Sequence, residues 1–308
     1  MTQQQRAKQE SAAWSGVFPA VTTQMRQDES LDLDATARHL EVLIDSGISG
    51  IVMLGSLGEN AALAAAEKRS VVQMALETAR GRVPVLSGVV ENSTAAAVQY
   101  VRDMEELGAQ GLMVLPAMIY RADPDETMHH YRAVARATGL PIICYNNPLA
   151  YGVDITPAMF TQLADVKNFV AIKESSGDVR RVTDLRNAVG DRYALFCGVD
   201  DLVLESAVLG IDGWIAGMGL AFPRENQRLW DLATTGRFAE ARAIYRWFTP
   251  LLHLDTPVKF VQYIKLAIQE AGLGAEWVRA PRRVLAGEER QRILEIIHRG
   301  LASRPKLG

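Results

Sequence analysis

Eight short apolar runs recur along the chain, and between them lie longer stretches whose apolar positions repeat at three and four. That change of period, from strand to helix and back, is the signature of βα units. The strands are expected at residues 16–22, 50–54, 83–90, 111–116, 141–145, 169–173, 193–197 and 213–216, with helices at 33–46, 65–80, 95–107, 125–138 and 201–209. Three junctions share one pattern: Gly47 and Gly50, Gly108 and Gly111, and Gly210 and Gly213 each bracket a turn, reading as a helix C-cap followed by the start of a strand. The strands are continuous apolar runs rather than alternations, so both faces are expected to be covered, as in parallel sheets under helices. An open doubly wound sheet shares these features. Eight units in sequence favour closure into a (β/α)₈ TIM barrel.

After the last strand, residues 224–247, 259–271 and 287–301 carry helical periodicity with no strand between them. The expected organisation is a loose polar tail over 1–14, a barrel core over 15–223 and C-terminal helices over 224–308 packed on it as one domain. With 48% apolar and 22% charged residues, the chain has the composition of a soluble globular protein with a large core. Its net charge of −3 gives no electrostatic footprint for nucleic acid or an anionic membrane. The start has no apolar core of a signal peptide, and no run of about 18 apolar residues occurs. Cys144 and Cys197 sit inside apolar runs, which predicts reduced, buried thiols and a cytoplasmic protein. His129, His130 and His253 have no metal-ligand spacing, and no dinucleotide or Walker A glycine motif is present, so neither metal nor organic cofactor is expected.

A barrel places its chemistry at the C-terminal ends of its strands. Four such ends carry reactive groups: Gly55-Ser56-Leu57-Gly58-Glu59, Tyr145-Asn146-Asn147-Pro148, Lys173-Glu174-Ser175-Ser176-Gly177 and Gly198-Val199-Asp200-Asp201. Desolvation at the end of an apolar strand disfavours an ammonium, which leaves Lys173 as a neutral amine able to form a Schiff base. The alternative is a lysine that snorkels to water or pairs with Glu174. Tyr145, one strand earlier, places a phenol near that amine as a proton shuttle, or is a core tyrosine with its hydroxyl at the surface. The 55–58 loop offers N–H groups and the Ser56 hydroxyl to a carboxylate, or is only a tight connection. Glu59 reads as a helix-start carboxylate.

Taken together, Gly-Ser-Leu-Gly-Glu, Tyr-Asn-Asn-Pro and Ile-Lys-Glu, in order on the right strands, resemble the dihydrodipicolinate synthase and N-acetylneuraminate lyase superfamily from about Gly16 into the C-terminal helices. The resemblance implies Lys173 as the Schiff-base lysine and Tyr145 as the proton shuttle. It implies Gly55, Ser56 and Leu57 as the loop holding a 2-oxo acid carboxylate, and Gly198 as a glycine whose backbone faces the substrate. It also implies a small-molecule substrate, no metal or organic cofactor, and a homotetramer of tight dimers.

Three departures set expectations about the substrate. Leu57 stands where the synthases carry a second threonine, and Leu149-Ala150-Tyr151-Gly152 occupies the place of an arginine that binds the second substrate. The relay tyrosine usually donated by a neighbouring subunit has only a displaced candidate, Tyr120. These losses argue against condensation of pyruvate with aspartate semialdehyde, the 4-hydroxy-tetrahydrodipicolinate synthase reaction. They favour a deaminase of hydroxyproline breakdown, converting 1-pyrroline-4-hydroxy-2-carboxylate into 2-oxoglutarate semialdehyde and ammonia. The alternatives are an aldolase or dehydratase of 4-hydroxy-2-oxoglutarate or of a 2-keto-3-deoxy sugar acid, the latter disfavoured by the apolar pocket that Leu57, Met118 and Leu149 predict; the 4-hydroxy-tetrahydrodipicolinate synthase itself; and a non-catalytic metabolite sensor.

Overall fold

The computed structural model describes residues 14–117 and 120–307. Its eight strands are β1 (Gly16–Val17), β2 (Ile51–Met53), β3 (Val85–Val89), β4 (Gly111–Val114), β5 (Ile142–Asn146), β6 (Phe169–Glu174), β7 (Ala194–Cys197) and β8 (Gly213–Trp214). All are parallel, in the order β1-β8-β7-β6-β5-β4-β3-β2. The ends of that order meet: Ala20 bridges Val52, and the Val21 N–H donates to the Val52 carbonyl at 2.9 Å. The sheet is therefore a closed (β/α)₈ barrel, and the open-sheet alternative falls away.

The repeated glycine pairs do two separate jobs. Gly47, Gly108 and Gly210 take left-handed φ of +90°, +86° and +84° just past helix ends, a conformation that strains any residue with a Cβ. The second glycines make room. A Cβ on Gly50 would lie 2.1 Å from the Phe18 ring, on Gly111 2.3 Å from Trp14, and on Gly213 2.2 Å from Phe196. Phe18 and Phe196 meet edge to face at 5.3 Å, with Trp14 beside Phe18 at 6.3 Å. Trp14, expected at the end of a loose tail, is buried; residues 1–13 lie outside the described residues. Burial of each such ring is worth about 2 kcal/mol, so the strand-start glycines are part of the core rather than of a turn.

Between the strands, helices α1 (Leu33–Asp45), α2 (Ala65–Ala79), α3 (Thr94–Leu107) and α4 (Pro124–Arg136) lie close to their predicted spans. Side-chain caps start three of them: Asp32, Ser93 and Asp123 accept from Ala35, Ala96 and Glu126 backbone N–H groups. Each cap contributes about 1 kcal/mol. A four-residue helix α5 (Pro148–Tyr151) and α6 (Pro157–Gln162) follow β5, α7 (Arg180–Val189) follows β6, and α8 (Val203–Val208) follows β7.

Beyond β8 the helix expected over 224–247 is two, α9 (Pro223–Thr234) and α10 (Phe238–Leu252), broken where Gly236 turns to φ +74°. Apolar periodicity continues through that break, which is why it reads as one element. Helices α11 (Phe260–Glu270) and α12 (Gly287–Ala302) complete the chain. Inside α11, Lys265 is fully buried and forms an ion pair at 2.5 Å with Glu59, at the end of the strand-two loop. The C-terminal helices are thereby locked to the barrel mouth. Among the described residues no helix is long and apolar enough to cross a membrane.

Candidate active site

Register decides which side chains meet. Tyr145 pairs with Lys173 across β5 and β6, and Asn146 pairs with Glu174. Successive residues of a strand face opposite ways, so Lys173 and Tyr145 share one face while Glu174 turns to the other. Lys173 Nζ lies 4.1 Å from the centroid of the Tyr145 ring, and the lysine is only 6% exposed. Glu174 instead accepts from the Ser176 N–H at 2.6 Å and from Asn146 Nδ2 at 3.1 Å, and burial pushes its carboxyl above the usual range. The Lys173–Glu174 pair considered from the sequence does not form, and among the described residues the Lys173 amine has no ion-pair partner.

Gly198, on the adjacent strand end, acts by what it lacks. A Cβ there would lie 2.6 Å from Lys173 Cε and 2.1 Å from Ser175 Oγ. Any side chain would displace the lysine stem. Ser175 lines the same cavity and its buried Oγ has no hydrogen-bond partner, leaving it for a ligand.

The cavity measures about 440 Å³ and gathers Gly55, Ser56, Leu57, Tyr145, Lys173 and Gly198. Leu54 and Glu59 both adopt left-handed φ of 56° at the two ends of the 55–58 loop. That turns the loop back on itself, held by Asn60 Nδ2 donating to the Leu54 carbonyl at 2.9 Å. Among the described residues the Ser56 and Leu57 N–H groups donate to no protein acceptor, as a carboxylate cradle requires. The Leu57 side chain itself is buried.

Three cavity residues, Tyr151, Asp255 and Arg282, have no role in the sequence reading, and Ser175 appears there only within its strand-end segment. Tyr151 places its hydroxyl 2.6 Å from Ser56 Oγ, with its ring edge to face on Tyr145 at 5.5 Å. Arg282, from the C-terminal segment, contributes a guanidinium to the lining, as Asp255 contributes a carboxyl and Ser175 a hydroxyl. Burial, then the neighbouring Asp200, holds the Asp255 carboxyl well above the carboxylate range. Asp200 is pushed up to about 6 by its own burial, against N–H donors from Met218, Trp214 and Gly217. Asp255 and Arg282 lie far along the chain from any strand-end motif, so only the fold brings them in. Tyr151 lies in a stretch searched for an arginine, and its phenol was overlooked for that reason.

Tyr120 is 58% exposed and is absent from the lining of its own chain's cavity. Met118, counted among the apolar pocket residues, lies outside the described residues, and Leu149 stands 79% exposed beside the mouth. No group of three His, Cys, Asp or Glu side chains is arranged for a metal among the described residues.

A profile of the dihydrodipicolinate synthetase family matches residues 13–299. The chain belongs to that family. A 4-hydroxy-tetrahydrodipicolinate synthase of Methanothrix thermoacetophila is 30% identical over 92% of this chain and 95% of its own. The structure of the synthase from Methylacidiphilum fumariolicum superposes with a TM-score of 0.90 at 28% identity, covering 94% of this chain and 96% of that one. The chloride-inhibited dihydrodipicolinate synthase of Acinetobacter baumannii, solved with pyruvate, gives 0.89 at 27% identity over 93% and 98%. This family membership makes the chain a lyase.

These relatives overturn the expected 1-pyrroline-4-hydroxy-2-carboxylate deaminase activity: curated proteins matching nearly the full chain are 4-hydroxy-tetrahydrodipicolinate synthases. The physical reason is that the expectation leaned on two groups missing from their usual sequence positions. The cavity contains both kinds of group from elsewhere, a second hydroxyl on Tyr151 and a guanidinium on Arg282.

Proposed function

We propose that this chain condenses pyruvate, held as an imine on Lys173, with an aldehyde bearing its own carboxylate, the 4-hydroxy-tetrahydrodipicolinate synthase reaction of its relatives. What supports this is the Lys173 amine, nearly dry, with no ion-pair partner within hydrogen-bonding reach among the described residues, and stacked over Tyr145. The pyruvate carboxylate would take the free N–H groups of Ser56 and Leu57. The amine adds to C2, and loss of water gives a protonated imine, an electron sink that lets a C3 proton leave. The resulting enamine attacks the aldehyde carbon with C3, and the new alkoxide takes a proton from the Tyr145 phenol. The aldehyde's amino group then attacks C2 and releases the lysine, closing the ring. Arg282, which lines the cavity with its guanidinium 3.9 Å from the Glu59 carboxylate, would receive the aldehyde's carboxylate in place of an arginine after β5.

Borohydride added with pyruvate is expected to fix one reduced pyruvyl group on Lys173, seen by intact mass and peptide mapping. Pyruvate consumption with aspartate semialdehyde should follow, and Arg282→Ala should raise the KM for the aldehyde far more than that for pyruvate. An unmodified lysine after borohydride, or turnover indifferent to aspartate semialdehyde, would sink the assignment.

A further inference from the structure

The residues after β5 form an unusually short device. Asn147 caps α5: its Oδ1 accepts from the Ala150 N–H at 3.0 Å, Pro148 supplies a preset first residue, and Gly152 ends the turn at φ +72°. One turn of helix is enough to bring Tyr151 back over Tyr145, edge to face. The same cap fixes the amide orientation. Because Oδ1 faces an N–H donor, Nδ2 must be the group facing the Tyr145 hydroxyl at 3.1 Å, and it can only donate. The Tyr145 oxygen accepts there, so its single proton is free for a second partner.

Tyr151 and Ser56 hydroxyls lie 2.6 Å apart, a distance typical of an O–H···O hydrogen bond. Burial holds the Tyr151 phenol protonated, and the Tyr145 hydroxyl is its other side-chain neighbour. Tyr145, Tyr151 and Ser56 thus adjoin in turn, the two rings edge to face at 5.5 Å and the last two hydroxyls hydrogen-bonded, from the ring under the Lys173 amine to a half-buried serine in the cavity wall. All three come from one chain.

We propose that Tyr151 is the relay residue between Tyr145 and Ser56, so that a single chain carries the whole proton path between the Lys173 imine and solvent. This rests on the imine reading above. When the amine adds to C2, its extra proton passes to the new oxygen, giving a neutral carbinolamine. Departure of that hydroxyl as water needs one more proton. Tyr145 supplies it, Tyr151 reprotonates Tyr145, Ser56 reprotonates Tyr151, and solvent restores Ser56; the products are one water and one protonated imine. The relay transmits through Tyr145 and does not itself touch the substrate.

The test is the rate of pyruvate capture, followed by borohydride quench and intact mass, in wild type, Tyr151→Phe and Tyr120→Phe. Phenylalanine keeps the edge-to-face ring and removes only the hydroxyl. Tyr151→Phe is expected to slow adduct formation about 10²-fold, to reach the same final yield, and to leave the KM for pyruvate within about twofold. Imidazole buffer should restore part of the lost rate in Tyr151→Phe and do nothing for wild type, a response that loss of packing alone would not produce. Capture by Tyr151→Phe at the wild-type rate overturns the relay while leaving the imine intact. A larger loss in Tyr120→Phe than in Tyr151→Phe overturns it in favour of a phenol from outside the chain. No adduct in wild type removes the imine reading and the relay with it.

Discussion

Lys173 and Lys265 are both buried, yet their surroundings differ in the one respect that matters for reactivity. Lys265 has no solvent exposure, pairs with Glu59 at 2.5 Å and donates to the Trp277 carbonyl at 2.7 Å. Burial lowers its proton affinity and Glu59 offsets part of that loss. Lys173 is nearly as dry, but among the described residues it has no ion-pair partner and lies over the face of Tyr145 at the cavity. A buried ammonium with a buried carboxylate is a structural clamp, whereas a buried amine without one is available to a carbonyl. Desolvation is common to both, and the partner decides the role.

The comparison is tested most severely by the same substitution at both sites. Lys173→Met keeps the apolar stem and removes the amine. Turnover should fall by on the order of 10⁴-fold or more, while the urea midpoint stays where it was or rises, since no salt bridge is broken. Lys265→Met should behave in the opposite way. Glu59 would lose its close cation and keep only Arg282 at 3.9 Å, and unfolding free energy should drop by about 3 kcal/mol, with turnover per folded molecule kept within a few-fold. Adding Glu59→Gln to Lys265→Met should recover part of that stability. If Lys265→Met proves harmless to the urea midpoint, the clamp is wrong; if Lys173→Met lowers the midpoint strongly, Lys173 has a structural partner.

The same two residues mark how far the sequence could be read. Lys173 and Tyr145 were legible because each closes an apolar run, and a closed barrel brings adjacent strand ends together whatever the loops do. All eight strands were found for the same reason, although β1 and β8 are shorter than the runs that contain them. Glu59 was taken for a helix-start carboxylate because its partner lies 206 residues away. Tyr151 was passed over since a one-turn helix leaves no periodicity, and Asp255 and Arg282 reach the cavity only because α11 is pinned to the mouth. Local pattern reports strands and their ends; it carries no information about which distant segment covers the opening.

A third buried base sharpens the contrast at smaller scale. His39, on α1, is 1% exposed, and its Nε2 lies 2.8 Å from the Leu220 carbonyl. A carbonyl only accepts, so Nε2 carries the hydrogen, and the buried Nδ1 has no partner. Burial pulls this imidazole down to about 4 from an ordinary 6.5. Between those values the unfolded chain binds a proton that the folded chain refuses. The stability His39 contributes is therefore complete above 6.5 and is lost as pH falls through about 4, up to about 3 kcal/mol. Asp200, raised to about 6 from 3.8, works in the opposite sense, since the folded acid keeps its proton where the unfolded one has lost it. The two slopes partly cancel in the wild type, so the His39 effect appears cleanly only as a difference. His39→Gln can still donate to Leu220 but does not titrate, and the gap in unfolding free energy between it and wild type should shift in its favour between pH 7.5 and 4.5. A gap that stays constant across that range would mean the imidazole is solvated or paired in the folded state. Lys265 tolerates burial by having a counter-charge and His39 by giving up its proton, whereas Lys173 faces the cavity, where the proposed imine chemistry would use it.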